Sequence, residues 1–188
     1  MPMMNLSGQS FRMERRSKIR AMNLETSISL RDGVLIETVN FLATGPIDLR
    51  VAYPWMYAWT KDATAYVFGD DKGIQKRGLF RKEGPTASEV IKNSSWMAVF
   101  NSSSGQGSVC CFLKHPPMDD GRFLLIDAPG VYRQIAAYTL EDKVVEAGFN
   151  GTYQSAVGFF TATANDWEQH ALRRAAELWT SPKPCTTP

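Results

Sequence analysis

Four aromatic residues stand at every second position of the stretch VAYPWMYAWT, residues 51–60: Tyr53, Trp55, Tyr57 and Trp59. Period-two spacing puts all four on one face of an extended strand, with Ala52, Pro54, Met56 and Ala58 on the other. Such rings stack on the apolar C–H face of a sugar, and their polar tips reach its hydroxyls. They also fill the space between two packed sheets, and both readings stand at this point. Two phenols and two indole N–H groups in one row all need hydrogen-bond partners, which favours a partly wet face for the row as a whole. Pro54 donates no ladder hydrogen bond, so the strand belongs at a sheet edge or carries a bulge.

Other side chains with chemical capacity are few. His115 ends the apolar run SVCCFLKH just before a Pro-Pro turn, on the same face as Val109, Cys111 and Leu113. An imidazole there can act as acid, base or hydroxyl ligand near neutral pH, or stand as a satisfied rim residue. His170 sits among Arg and Gln in a helical segment and reads as solvated or partly packed. Asp127 and Glu146 lie inside strand-like runs, where a carboxylate needs solvent or a partner. Arg133, which begins the run RQIAAYTL, is the partner the pattern offers. Asp70-Asp71 and Asp119-Asp120 precede turns and match no calcium loop. NSSSGQG lacks the phosphate-loop lysine and leads to a strand, so it reads as a hairpin.

Composition narrows the classes. The 188 residues carry 44% hydrophobic side chains and a formal net charge of +2, a globular balance for about one domain. The densest basic patch, FRMERRSKIR at 11–20, has no nucleic-acid motif behind it and reads as the wet face of an early strand. No apolar run is long enough to span a bilayer, and the start lacks a signal-peptide pattern. A cytoplasmic location is the default expectation, with export if the native N-terminus is longer. Three cysteines and two histidines give no zinc spacing, so neither metal nor cofactor is expected. In a strand, Cys110 and Cys111 must point to opposite faces.

The elements that position these residues are mostly strands. SISLRDGVLIETVNF predicts a hairpin turning at Asp32-Gly33. IDLRVAYPW, ATAYVFG, SWMAVFN, GSVCCFLKH, RFLLIDA, RQIAAYTL, KVVEAG and YQSAVGFFTA follow as strands, separated by GDDKG, FRKEGPTASE, NSSSGQG, PPMDDG and FNGT. One helix is predicted over about 165–179, with Asn165 as N-cap and Glu168 completing a capping box. The expected class is all-β: a large two-sheet antiparallel sandwich over 11–180 with one C-terminal α-helix, preceded by a segment 1–10 and followed by a tail 181–188.

Three stretches, YPWMYAWTKDATAYVFGDDKG, SSWMAVFNSSSGQGSVCCFLKHP and GTYQSAVGFFTATANDWEQHALRRAAEL, together resemble the galactose-mutarotase-like (supersandwich) domains. These occur in sugar epimerases, polysaccharide lyases and glycoside hydrolases. The resemblance implies a sugar or oligosaccharide ligand and proton transfer at a sugar, with His115 as the acid or base and Glu146 as its counterpart. Stacking would fall to Tyr53, Trp55, Tyr57, Trp59 and Trp96, and polar contacts to Arg50, His115 and Arg133. It equally allows a homo-oligomer or an accessory domain of a longer polysaccharide-degrading enzyme. The alternative is a structural sandwich whose aromatics pack internally or at a domain contact.

Overall fold

The computed structural model describes residues 10–115, 122–137 and 140–180. The expected N-terminal segment, the Pro116-Pro117 and Asp119-Asp120 turns, and the tail with Cys185 lie outside the described residues, apart from Ser10. In chain order the strands are β1 (Ser10–Ile19), β2 (Met22–Arg31), β3 (Val34–Ala43), β4 (Ile47–Ala52), β5 (Trp55–Thr60), β6 (Ala65–Asp70) and β7 (Gly73–Leu79). Then come β8 (Ala87–Ile91), β9 (Trp96–Asn101), β10 (Gln106–Lys114), β11 (Phe123–Ala128), β12 (Tyr132–Ala137), β13 (Leu140–Val145) and β14 (Asn150–Thr161), closed by helix α1 (Trp167–Thr180).

An antiparallel eight-stranded sheet runs β1-β2-β3-β14-β10-β9-β6-β7, and a four-stranded sheet runs β5-β12-β11-β8. The β4–β13 pair forms a small third sheet. The Asp32-Gly33 turn forms as expected: φ is +51° and +73°, the left-handed pair a two-residue hairpin needs. It sets Arg31 opposite Val34 and fixes the β2–β3 register.

Alternation sorts the large sheet's side chains into two layers. On one face Tyr66, Phe68, Met97, Val99, Cys110, Phe112 and Tyr153 meet Trp55, Phe123, Leu125, Ile135 and Ala137 of the four-stranded sheet. On the other, Val67, Ala98, Phe100, Val109, Cys111 and Ala156 meet Trp167, Ala171, Ala175 and Leu178 of α1. Strands β6, β9 and β10 are covered on both sides, so they are buried almost throughout. Cys110 and Cys111 face opposite layers, as the period-two reading requires.

Three expectations shift. The helix cap sits two residues earlier than Asn165 and Glu168: Asp166 Oδ1 accepts both the backbone N–H and the hydroxyl of Thr163 at 2.7 Å. The short Asp side chain reaches back over one turn, while Glu168 is drawn off to Arg77 at 3.3 Å. IDLRVAYPW is not one strand: the chain leaves the third sheet at Ala52 and enters the four-stranded sheet at Trp55, crossing at Tyr53-Pro54. Strand β8 falls inside the expected loop FRKEGPTASE and its extension. Only Ile91 of it is buried, so it carries no hydrophobic alternation to read.

Candidate functional site

Strand β5 is the edge of the four-stranded sheet, as Pro54 predicts. Its odd-numbered side chains turn inward onto the large sheet, and Met56 points outward, 60% exposed. The row is graded along its length. Trp55 is core, 1% exposed, between Phe112 and the edge-on ring of Tyr153, so it offers no face to a ligand. Tyr57 and Trp59 are half-buried and reach polar groups on the facing sheet. Tyr53 precedes the strand, 43% exposed in the crossing bend.

The partners of Tyr57 form an ordered chain. Its hydroxyl donates to Glu37 Oε2 at 3.1 Å and lies 2.6 Å from Ser155 Oγ. An ionised carboxylate only accepts, so the phenol proton goes to Glu37 and Ser155 donates to the phenol oxygen. Burial pushes the Glu37 carboxyl above its ordinary 4.5, with the Tyr57 hydrogen bond pulling partly back. Burial, and then the neighbouring Cys110 and Glu37, hold the Tyr57 phenol far above its ordinary range, so it stays a donor at every working pH. One strand pair further on, Trp59 Nε1 donates to Ser108 Oγ at 2.9 Å. Trp59 then opens onto a groove of about 290 Å³ lined also by Asn101, Gln106, Ser108 and Phe159, the last 64% exposed.

Arg133 on β12 is the direct cross-strand neighbour of Trp59. It forms the ion pair with Asp127 that the sequence suggests, NH1 to Oδ1 at 2.9 Å, and its guanidinium lies over the Phe80 ring at 5.1 Å. Trp55, Tyr57, Trp59 and Arg133 are thus brought onto one inward face. Trp96 and His115 meet elsewhere, lining a groove of about 830 Å³ between α1 and the β6–β7 turn. Trp96 is nonetheless 1% exposed, with its indole N–H given to Asp70 O at 3.0 Å. Glu146 is exposed in the turn after β13 and is not among the described residues lining that groove. Arg50 is exposed on β4, in the third sheet.

Sequence reasoning passed over Glu37, Ser108 and Ser155. The signal for Glu37 was its phase: in VLIETVNF it shares the inward face with Leu35, Val39 and Phe41. Ser155 likewise falls in phase with Tyr153 and Val157. Among the described residues no group of three or more His, Cys, Asp or Glu side chains is placed to hold a metal ion. No described helix is long and apolar enough to cross a membrane.

No protein-family model matches the chain, and no curated protein matches it. Solved structures do. The α-galactosidase of Lactobacillus brevis superposes over 97% of this chain at 10% identity, TM-score 0.55. The galactosidase domain of the α-galactosidase-sucrose kinase AgaSK covers 82% at 10% identity, TM-score 0.53. Galactose 1-epimerase from Lactobacillus acidophilus covers 85% at 8% identity, TM-score 0.45. The chain thus shares its fold with a region of these two α-galactosidases. It spans about a quarter of the two α-galactosidases, 28% and 24%, and 66% of the epimerase.

Proposed function

We propose that this galactose-mutarotase-like sandwich binds a saccharide along the strip where β5 overlies β3, β14 and β10. One observation carries the reading: the half-buried chain Ser155–Tyr57–Glu37 and the Trp59–Ser108 pair lie along one inward strip of β5, and Trp59 opens onto a groove that Phe159 also lines. A carboxylate oxygen accepts from a sugar hydroxyl pair, and an indole edge with an exposed Phe159 offers the apolar surface a pyranose ring stacks on. The fold likeness to sugar-handling enzymes supports the same partner class. Acid–base chemistry at the sugar is the further step. Glu37, with its raised carboxyl, is better suited to hold or deliver a proton than the exposed Glu146. His115, in its separate groove, stays a candidate acid for a ligand bound there.

Titration with neutral and acidic oligosaccharides, followed by tryptophan fluorescence and calorimetry, tests the reading. Binding that weakens about tenfold in Glu37→Gln and Trp59→Phe is the expected result, each substitution removing about one good contact. Absence of binding to every saccharide, or binding indifferent to both substitutions, would overturn it. Unchanged turnover of His115→Ala, in any preparation that shows sugar chemistry, removes His115 from the mechanism.

A second reading has its own support. The chain matches only about a quarter of each α-galactosidase, so a sandwich that serves as an accessory domain against a larger partner is consistent with the same comparison. In that case Trp179 and Leu172, both exposed on α1, are the residues to substitute in a co-purification assay.

A further inference from the structure

A second groove adjoins the Trp59 groove and shares Ala63 and Phe100 with it. Its volume is about 700 Å³, and four cations line it: Lys61, Arg81, Lys82 and Arg133. Asp62 is the acidic residue in the lining, and Asp127 stands behind it. Asp127 is shared. Its Oδ2 accepts the Arg81 backbone N–H at 2.9 Å and Nε at 3.2 Å, while its Oδ1 pairs with Arg133. One carboxylate therefore answers two guanidinium groups.

Their other hydrogen bonds go to backbone carbonyls, and Arg133 also lies over the Phe80 ring; both solvate a cation without neutralising it. Arg133 NH2 donates to Arg81 O at 2.7 Å, and Arg81 NH2 donates to Pro85 O at 2.7 Å. Arg133 is 3% exposed, and its Nε has no hydrogen-bond partner among the described residues. A cation held this deep, with half a counter-ion, projects positive potential into the space it lines. Lys61 and Lys82 are exposed at the rim and add to it. Ala164, just before α1, and Trp167, its first residue, form another wall.

We propose that this groove is an oxyanion site, taking the carboxylate or phosphate of an acidic saccharide whose ring lies against Trp59. The register supports one continuous ligand, because Arg133 and Trp59 are directly opposed on neighbouring strands. The ring's place rests on the saccharide reading above; the anion's place rests on the cation groove alone. Arg81 and Arg133 fix the groove's shape through Asp127, and the two rim lysines close over the anion as mobile point charges.

The experiment compares wild type with Lys61→Ala/Lys82→Ala. Both side chains are exposed, so the variant keeps the fold. Calorimetry is run with a galacturonate trisaccharide, the matching neutral galactose trisaccharide, glucose 6-phosphate and inorganic phosphate, each at two salt concentrations. Support takes the form of tighter binding by an acidic ligand than by the neutral one, lost about tenfold or more in the double variant and weakened by salt. The uronate and phosphate arms tell which anion the groove prefers. Inorganic phosphate binding that needs the lysines, with no saccharide bound, keeps the oxyanion site and sinks the saccharide reading. Equal binding of neutral and acidic trisaccharides, unchanged in the double variant, sinks the oxyanion site and keeps the saccharide reading. No binding of any of the four ligands overturns both.

Discussion

Replacing Tyr57 by Phe removes one oxygen and leaves the ring where it is, which isolates the polar chain on the inward strip. Ser155 and Glu37 lose a partner, as does the buried Cys110 thiol, a weaker hydrogen-bonding group. Ser155 is 0% exposed, so its hydroxyl no longer finds the phenol oxygen and water does not replace it. Stranding a buried hydroxyl costs about 1–3 kcal/mol. Glu37 is only partly buried and recovers hydration, so its share is the smaller one. A total near 2 kcal/mol corresponds to a fall in Tm of about 4–8 °C for a chain of this size. Urea unfolding at pH 7, followed by tryptophan fluorescence, should show the midpoint shifted with the slope unchanged. A cycle with Ser155→Ala sharpens the test. Once the phenol oxygen is gone, removing Ser155 Oγ strands nothing, so the double variant should cost about 1 kcal/mol less than the two singles added. Additive singles, or a Tyr57→Phe protein within about 0.5 kcal/mol of wild type, would mean that water already serves Ser155 and that the three groups do not act as an ordered chain.

Three further outcomes follow from the same geometry. Because Glu37 binds its proton more tightly folded than unfolded, its ionised form is a cost above the folded pKa, relieved as pH falls through that value and gone below the ordinary 4.5. Glu37→Gln should therefore be more stable than wild type at pH 7, and the difference should close on acidification in parallel urea melts. A Cβ at Gly69 would stand 2.3 Å from the Trp96 ring and 2.5 Å from Gly73 O, so Gly69→Ala should destabilise by about 1–3 kcal/mol and red-shift the Trp96 emission. Trp55→Ala empties the junction of the two sheets and should cost about 3–5 kcal/mol by the same melts, whereas Tyr53→Ala, on an exposed side chain, should change stability by under about 0.5 kcal/mol.

Much of the architecture was legible because burial leaves a period. Strands β2, β3, β6, β9, β10, β11 and β14 carry apolar alternation or continuous apolar runs, and each packs against at least one layer. The strands that escaped, β7 and β8, are sheet edges whose side chains mostly face water, and their pairing is a backbone matter that side-chain patterns do not record. The aromatic row was legible as a one-faced edge feature, yet its gradient was not. Trp55 is sealed by Phe112 and Tyr153 whereas Trp59 meets Ser108 at a groove, a difference set by what covers each position rather than by spacing. The Arg133–Asp127 pair was within reach because a buried charge demands an opposite one. Glu37 belongs to no motif, and its one cue is the phase it shares with Leu35, Val39 and Phe41.

The two adjacent thiols on β10 turn the large sheet into a wall with a sentry on each side. Cys110 faces the opposing sheet, and burial raises its thiol well above the ordinary 9.0. Cys111 faces α1, its thiol against Ala175 O at 3.7 Å and pushed up by burial to about 12. Neither reacts while its own layer is closed. With Cys185 replaced by Ser, alkylation of Cys111 alone would time the lifting of α1, and alkylation of Cys110 would time the parting of the two sheets. A single chain thus reports two openings separately, and a saccharide seated beside Tyr57 should slow the second clock while leaving the first running.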